Sequence, residues 1–131
     1  MLDHVSIAVA DLAAAERFYD AVMAALGVEK VGADDGWLGY GRRCDAGQPD
    51  LTYLAVQKGA PPAANPARHW CFKAPSRAAV EAFWRAGLAA GGRDEGPPGL
   101  RPGYHPHYYA AFLLDPEGNR VEAVCHLAGE E

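Results

Sequence analysis

The sequence predicts an α+β fold built from two βαβββ modules, and three observations predict it. The chain repeats itself: adding 65 to a residue number takes His4 to His69, Asp11 to Ser76, Phe18 to Phe83, Tyr19 to Trp84 and Gly27 to Gly92. Each copy opens with a histidine at the head of an alternating, apolar-rich stretch, and seven positions later reaches a residue suited to capping a helix. Each then runs into short segments separated by turn residues. Such self-similarity, at a period longer than a solenoid repeat, marks a duplicated module. The 131 residues are read as a single domain, 1–131, with module 1 at about 1–58, a linker at about 59–67 and module 2 at about 68–127.

In the first module, His4, Ser6 and Ala8 alternate with Val5, Ile7 and Val9, as a half-buried strand requires. Asp11 is an N-cap, because its carboxylate can accept from free N–H groups of the first helical turn. Leu12, Ala15, Phe18, Tyr19, Val22 and Leu26 recur at helical spacing, and Gly27 suits the left-handed C-terminal position. Strands are expected at Val28–Val31, Trp37–Gly41 and Leu51–Val56, with turns at 32–36 and 45–50. Lys58 to Pro66, rich in Ala and Pro, reads as the linker.

The second module repeats this plan with a strand at His69–Ala74 and a helix opened by Pro75-Ser76. Val80, Phe83, Trp84 and Leu88 form the apolar stripe of that helix, and Gly91-Gly92 ends it. Gly96 to Pro106, crowded with Pro and Gly, reads as a long loop. Tyr108–Leu114 and Asn119–His126 read as strands joined by the turn Asp115-Pro116-Glu117-Gly118.

Composition excludes several classes of function. Half the residues are apolar and 22% are charged, which is ordinary for a soluble globular protein. A formal net charge of -5 disfavours nucleic acid and anionic membrane as partners. No apolar run nears the roughly 20 residues that span a bilayer, and no basic stretch followed by an apolar core marks a secretory signal. Cys44, Cys71 and Cys125 are odd in number and lack metal-site spacing, so free thiols in a reducing cytoplasm are expected. Cys71 and Cys125 read as small core residues.

His4, His69 and Glu122 carry the candidate chemistry. Each lies in an otherwise apolar strand, and the repeat gives the two histidines equivalent places. Two imidazoles and one carboxylate on a divalent ion leave coordination positions open for water or substrate, the arrangement of non-haem iron centres. The plain alternative is two satisfied strand histidines and a solvated carboxylate. Residues 101–109, with His105, His107, Tyr104, Tyr108 and Tyr109, lead into the strand paired with that of Glu122 and suit substrate binding or proton transfer. Strand alternation offers His107 and Tyr109 for one face and Tyr108 for the other; a packed aromatic loop is the alternative. Arg101 reads as a surface arginine able to bind a carboxylate.

Leu2-Asp3-His4-Val5-Ser6-Ile7-Ala8-Val9, the helical Arg17-Phe18-Tyr19 and the ending Leu114 to Glu122 together resemble the vicinal oxygen chelate superfamily. That group contains glyoxalase I, extradiol dioxygenases and bleomycin-resistance proteins. The resemblance covers nearly the whole chain. It implies a cupped, mostly antiparallel mixed sheet with helices outside, metal ligands at His4, His69 and Glu122, and active sites often completed in a homodimer. Glyoxalase I adds a fourth ligand, Glu or Gln, on the last strand of its first module; Asp50 is the nearest carboxylate here and suits a turn better.

The expected function is therefore that of a divalent-metal-dependent enzyme, using Zn, Ni, Fe, Mn or Co. It would be a lyase, isomerase or dioxygenase acting on a small oxygen-rich molecule, with His105, His107 and Tyr109 as catalytic candidates. The rival expectation is a non-catalytic binder that sequesters a drug or metabolite, its pocket lined by Trp37, Tyr40, Tyr53, Trp70 and Trp84.

Overall fold

The computed structural model describes residues 1–65 and 67–129; Pro66, at the end of the expected linker, and Glu130 and Glu131 lie outside the described residues. The first module is β1 (His4–Val9), α1 (Leu12–Ala25), β2 (Lys30–Asp34), β3 (Trp37–Gly41) and β4 (Tyr53–Lys58). The second is β5 (His69–Lys73), α2 (Arg77–Ala89), β6 (Arg93–Leu100), β7 (Tyr109–Leu114) and β8 (Arg120–Cys125). Each module forms a four-stranded sheet, ordered β1-β4-β3-β2 and β5-β8-β7-β6. The first strand of each pairs in parallel with the last, and the remaining pairs are antiparallel. The fold is the α+β double βαβββ arrangement that the repeat predicts.

Both helices start as their caps dictate. Asp11 accepts from Ala14 N at 3.0 Å and Ser76 from Ala79 N at 3.1 Å, each satisfying a first-turn donor. The left-handed residue that ends α1 is Gly27 (φ 72°), but its counterpart after α2 is Gly91 (φ 98°), one position before the Gly92 that the repeat indicates. Phe18 and Phe83, equivalent in the repeat, are both fully buried in one core shared by the two halves. Gly87 makes that close approach possible, since a Cβ there would run into Leu113 and lie 3.1 Å from Val22 and 3.2 Å from Phe18.

The Asp115 turn fastens the second module to the first. Asp115 is fully buried and accepts from the backbone of Glu117 and Asn119, from the Asn119 amide and, at 2.6 Å, from the Tyr19 hydroxyl of α1. Burial, followed by the Asp115 charge and hydrogen bond, pushes the Tyr19 phenol well above its ordinary value. The Glu117 carboxylate accepts from Ala10 N (2.7 Å) and Asp11 N (2.6 Å), where β1 hands over to α1. The conspicuous Asp-Pro-Glu-Gly-Asn string is thus a structural clasp.

Part of the expected loop at 96–106 is instead a strand. β6 contains Pro97 and Pro98, which lack the N–H that a ladder uses, and is tolerated because it lies at the sheet border. Its register shifts around Gly96 (φ 156°), a bulge that bends the strand. Cys125 is buried as expected, whereas Cys71 is exposed and Cys44 intermediate; all three thiols are free. Among the described residues, no helix is long and apolar enough to cross a membrane.

Candidate functional site

Ladder register determines which side chains share a face. Cys71 lies opposite Glu122, and Glu122 opposite Phe112, so β5, β8 and β7 present them side by side. His69, two residues from Cys71, and Tyr108, just before β7, complete the group on this face. The reverse face, with Val121, Ala123, Ala111 and Leu113, joins the apolar core beneath.

Glu122 is a charged residue only 2% exposed, and its surroundings account for it. Oε1 lies 3.1 Å from His69 Nε2, and Oε2 accepts from the Tyr108 hydroxyl at 2.6 Å. A buried carboxylate is tolerated when donors and an opposite partial charge surround it. Desolvation and the bond to Glu122 raise the Tyr108 phenol far above its ordinary range. Although Cys71 is exposed as a residue, its thiol rests against Glu122 and Tyr108; desolvation, then the Glu122 charge, pushes it up to about 12. Such a thiol is protonated and a poor nucleophile near neutrality.

His4 occupies the equivalent position in module 1, with different surroundings. Its Nδ1 bonds to Asp3 at 2.7 Å, and its ring stacks on Tyr53 with centroids 5.1 Å apart. That bond, then one to Cys44, holds the Asp3 carboxyl below its usual range. The His4 side chain is 49% exposed, on a strand with no ladder partner beyond it. The structure therefore brings together two of the three expected metal ligands within one chain. Among the described residues, no group of three His, Cys, Asp or Glu side chains converges closely enough to hold a metal ion.

The donors that do converge suit a metal ion. Two ligands each about 2.1 Å from one ion lie roughly 3.0–3.4 Å apart, and the 3.1 Å between His69 Nε2 and Glu122 Oε1 matches that spacing. The corresponding place in module 1 holds no donor. Glu122 pairs with the residue two after His69, so its counterpart is the partner of Ser6, which is Ala55. Asp50, the carboxylate nearest in sequence, is exposed in a turn before β4.

The other candidates separate. His105 Nε2 meets His126 Nδ1 at 2.9 Å, and Tyr108 sets its ring edge-on to both imidazoles. His107 is exposed and donates its backbone N–H to His105 Nδ1. Tyr109 lies on the opposite face from Glu122, donating to Glu81 of α2 at 2.8 Å beneath the Arg77 guanidinium. Tyr108 holds the place on the site's face that the sequence left between the two tyrosines. His126 was missed as a partner because its pairing depends on how residues 101–108 fold back.

Of the aromatics expected to line a pocket, Tyr40, Tyr53 and Trp70 do so. They border a crevice of about 550 Å³ where the first module faces β5, with Val5, Met23 and Phe72. Trp37 instead lies over Gly32 and Gly39, whose missing side chains make room for it. Trp84 donates to Asp94.

The architecture is shared with many solved structures. A glyoxalase/bleomycin resistance protein from Albidiferax ferrireducens T118 is 31% identical, with a TM-score of 0.79 over 95% of this chain and 98% of that one. A glyoxalase/bleomycin resistance protein/dioxygenase family enzyme from Burkholderia phytofirmans PsJN (20% identity, TM-score 0.67, 95% and 98% covered) has the same fold. So does the fosfomycin resistance protein FosX from Mesorhizobium loti (18%, 0.66, 95% and 91%). No match is found among curated proteins. The family profile of the glyoxalase/bleomycin resistance protein/dioxygenase superfamily matches residues 1–123, which takes in both histidine strands and Glu122 itself. By that match, and by the duplicated fold that carries it, this chain belongs to the glyoxalase/bleomycin resistance protein/dioxygenase superfamily.

Proposed function

We propose that the protein is a divalent-metal-dependent enzyme, a lyase, isomerase or dioxygenase, that acts on a small oxygen-rich molecule as a cytoplasmic homodimer. The observation that carries this reading is the nearly buried Glu122 carboxylate held 3.1 Å from the His69 imidazole. His69 and Glu122 would hold the ion, with His4 of the partner subunit as third ligand. Support for that third donor comes from the exposure of His4 on an edge strand, where it is accessible to a second copy. When bound, the ion supplies Lewis acidity to two neighbouring substrate oxygens. A nitrogen- and oxygen-only donor set suits Zn, Ni, Fe, Mn or Co.

The chain's own residues do the rest. Tyr108 fixes Glu122 by its second oxygen, leaving Oε1 directed towards His69. His105 is the candidate base at the end of the site: its Nδ1 accepts from the His107 backbone and its Nε2 faces His126, so it would take up a proton at Nδ1 by releasing the His107 N–H. His107 contributes through its backbone, and Tyr108 replaces Tyr109 as the tyrosine of the site.

One observation favours a second reading, a binder without catalysis: among the described residues a single chain gathers only two donors, and Ala55 stands where a fourth ligand would be. Elemental analysis of untagged protein separates the two. About one ion per chain, lost in His69→Ala and Glu122→Ala and reduced in His4→Ala, is the expected result. Metal content unaltered by all three substitutions would refute the enzyme reading.

A further inference from the structure

Phe112 is the neighbour of Glu122 across the ladder, and two guanidinium groups lie against its ring. Arg120 sits 4.6 Å and Arg101 5.8 Å from the ring centre, with the His69 ring at 6.0 Å. We propose that Arg101 and Arg120 form an oxyanion subsite beside the His69–Glu122 pair, so that the substrate carries a carboxylate, phosphate or phosphonate group. This rests on the reading of that pair as the reaction centre.

Arg101 is held in position by the strand beneath it. It follows β6 directly, and its guanidinium folds back over Gly96 and Gly99, where a Cβ would come within 3.3 Å of Nη2 and 3.1 Å of Nη1. Nη2 donates to the Pro97 carbonyl at 2.8 Å, its only hydrogen bond among the described residues. Most of the fork is therefore free to meet a ligand while the side chain is anchored. A planar fork of this kind matches an oxyanion with two parallel bonds.

Arg120 adds the second, independent observation. Its Nε is buried and has no hydrogen-bond partner among the described residues. Buried donors are nearly always satisfied, so the unpaired Nε stands out, and the 29% of the side chain that is exposed is what an anion could reach. Arg120 Nε forms a half-exposed ion pair with Glu95 Oε2 at 4.0 Å, too long for a hydrogen bond and one that an incoming anion would have to displace. Arg120 is also the ladder partner of His69, which puts an anion bound there next to the proposed reaction centre. The Glu122 carboxylate repels an anion bound here, and the ion proposed for the His69–Glu122 pair would offset that charge. Both cationic groups lie against the one Phe112 ring, on a protein of net charge -5.

Calorimetric titration of the 131-residue protein with inorganic phosphate and with oxalate, as separate arms, tests this. Arg101→Gln and Arg120→Gln should each weaken binding of the preferred anion by about tenfold or more, with metal content and Tm retained. Arg85→Gln, on the exposed side of α2, should leave it unchanged. Tighter binding of phosphate assigns a phosphate- or phosphonate-bearing substrate, and tighter binding of oxalate a carboxylate. No measurable binding of either anion, or equal losses in the Arg85 control, would overturn the proposal. If the protein binds no metal but anion affinity still depends on Arg101 and Arg120, the subsite stands and only the enzyme reading fails.

Discussion

Replacing Asp115 by Ala tests whether the clasp between the modules holds the fold together. The substitution removes the acceptor of four hydrogen bonds at a fully buried site, stranding the Tyr19 hydroxyl and the Asn119 amide. Of the two backbone donors, that of Glu117 is part-buried and that of Asn119 is buried, so the large terms are three buried groups: the Tyr19 hydroxyl, the Asn119 amide and the Asn119 N–H. Towards the lower end of about 1–3 kcal/mol for each of the three groups left unsatisfied, the loss comes to roughly 3–5 kcal/mol. For a domain of this size, about 3–4 °C of Tm accompanies each kcal/mol, so a fall of about 10–15 °C is expected by calorimetry or thermal circular dichroism. Tyr19→Phe removes only one of the four bonds and should cost about 1 kcal/mol. The double variant should be less destabilised than the sum of the singles, because with the phenol removed there is no hydroxyl left to strand. A Tm for Asp115→Ala within about 3 °C of the parent, or strict additivity, would refute the clasp.

Other expectations follow from the same geometry. Gly87→Ala should destabilise the protein by about 1–3 kcal/mol through overpacking against Leu113, Val22 and Phe18, outweighing a helix-propensity gain of about 1 kcal/mol; a Tm equal to or above the parent's would show that the helices can part freely. Ala55→Glu puts a buried carboxylate at the counterpart of Glu122, so Tm should fall in chelator and recover in excess Mn or Ni; an identical Tm under both conditions counts against a shared ion site. Alkaline pH should destabilise the fold. Tyr19 and Tyr40 have folded values raised above the ordinary phenol value of about 10, mainly by burial. Their contribution is therefore intact below pH 10 and is lost as pH rises from there towards the folded values. A denaturation midpoint flat between pH 9 and pH 11 contradicts that sign.

What the sequence disclosed was local or repeated. The histidine heads of β1 and β5, the Asp11 and Ser76 caps and the Phe18–Phe83 equivalence are all legible from spacing, because helix and strand periodicities act over a few residues. β6 was hidden by its prolines, whose tolerance depends on a border position that only the assembled sheet defines. Tyr108 and Tyr109 are neighbours in sequence, and which one meets Glu122 is decided by register against β8, where a slip of one residue exchanges the faces. Ala55 became recognisable as the counterpart of Glu122 only through the two parallel ladders. The Tyr19–Asp115 bond joins residues 96 positions apart, beyond the reach of any local pattern. The guanidinium pair on Phe112 was invisible for the same reason.

The two prolines of β6 have a consequence for how copies of this chain can meet. A strand docking along that rim would find no N–H at Pro97 or Pro98, and the kink at Gly96 would throw it out of step. That flank is sealed against strand-to-strand growth of the kind that builds fibrils. Any self-association through main-chain pairing is thereby directed elsewhere, towards the borders formed by β1, β2 and β5.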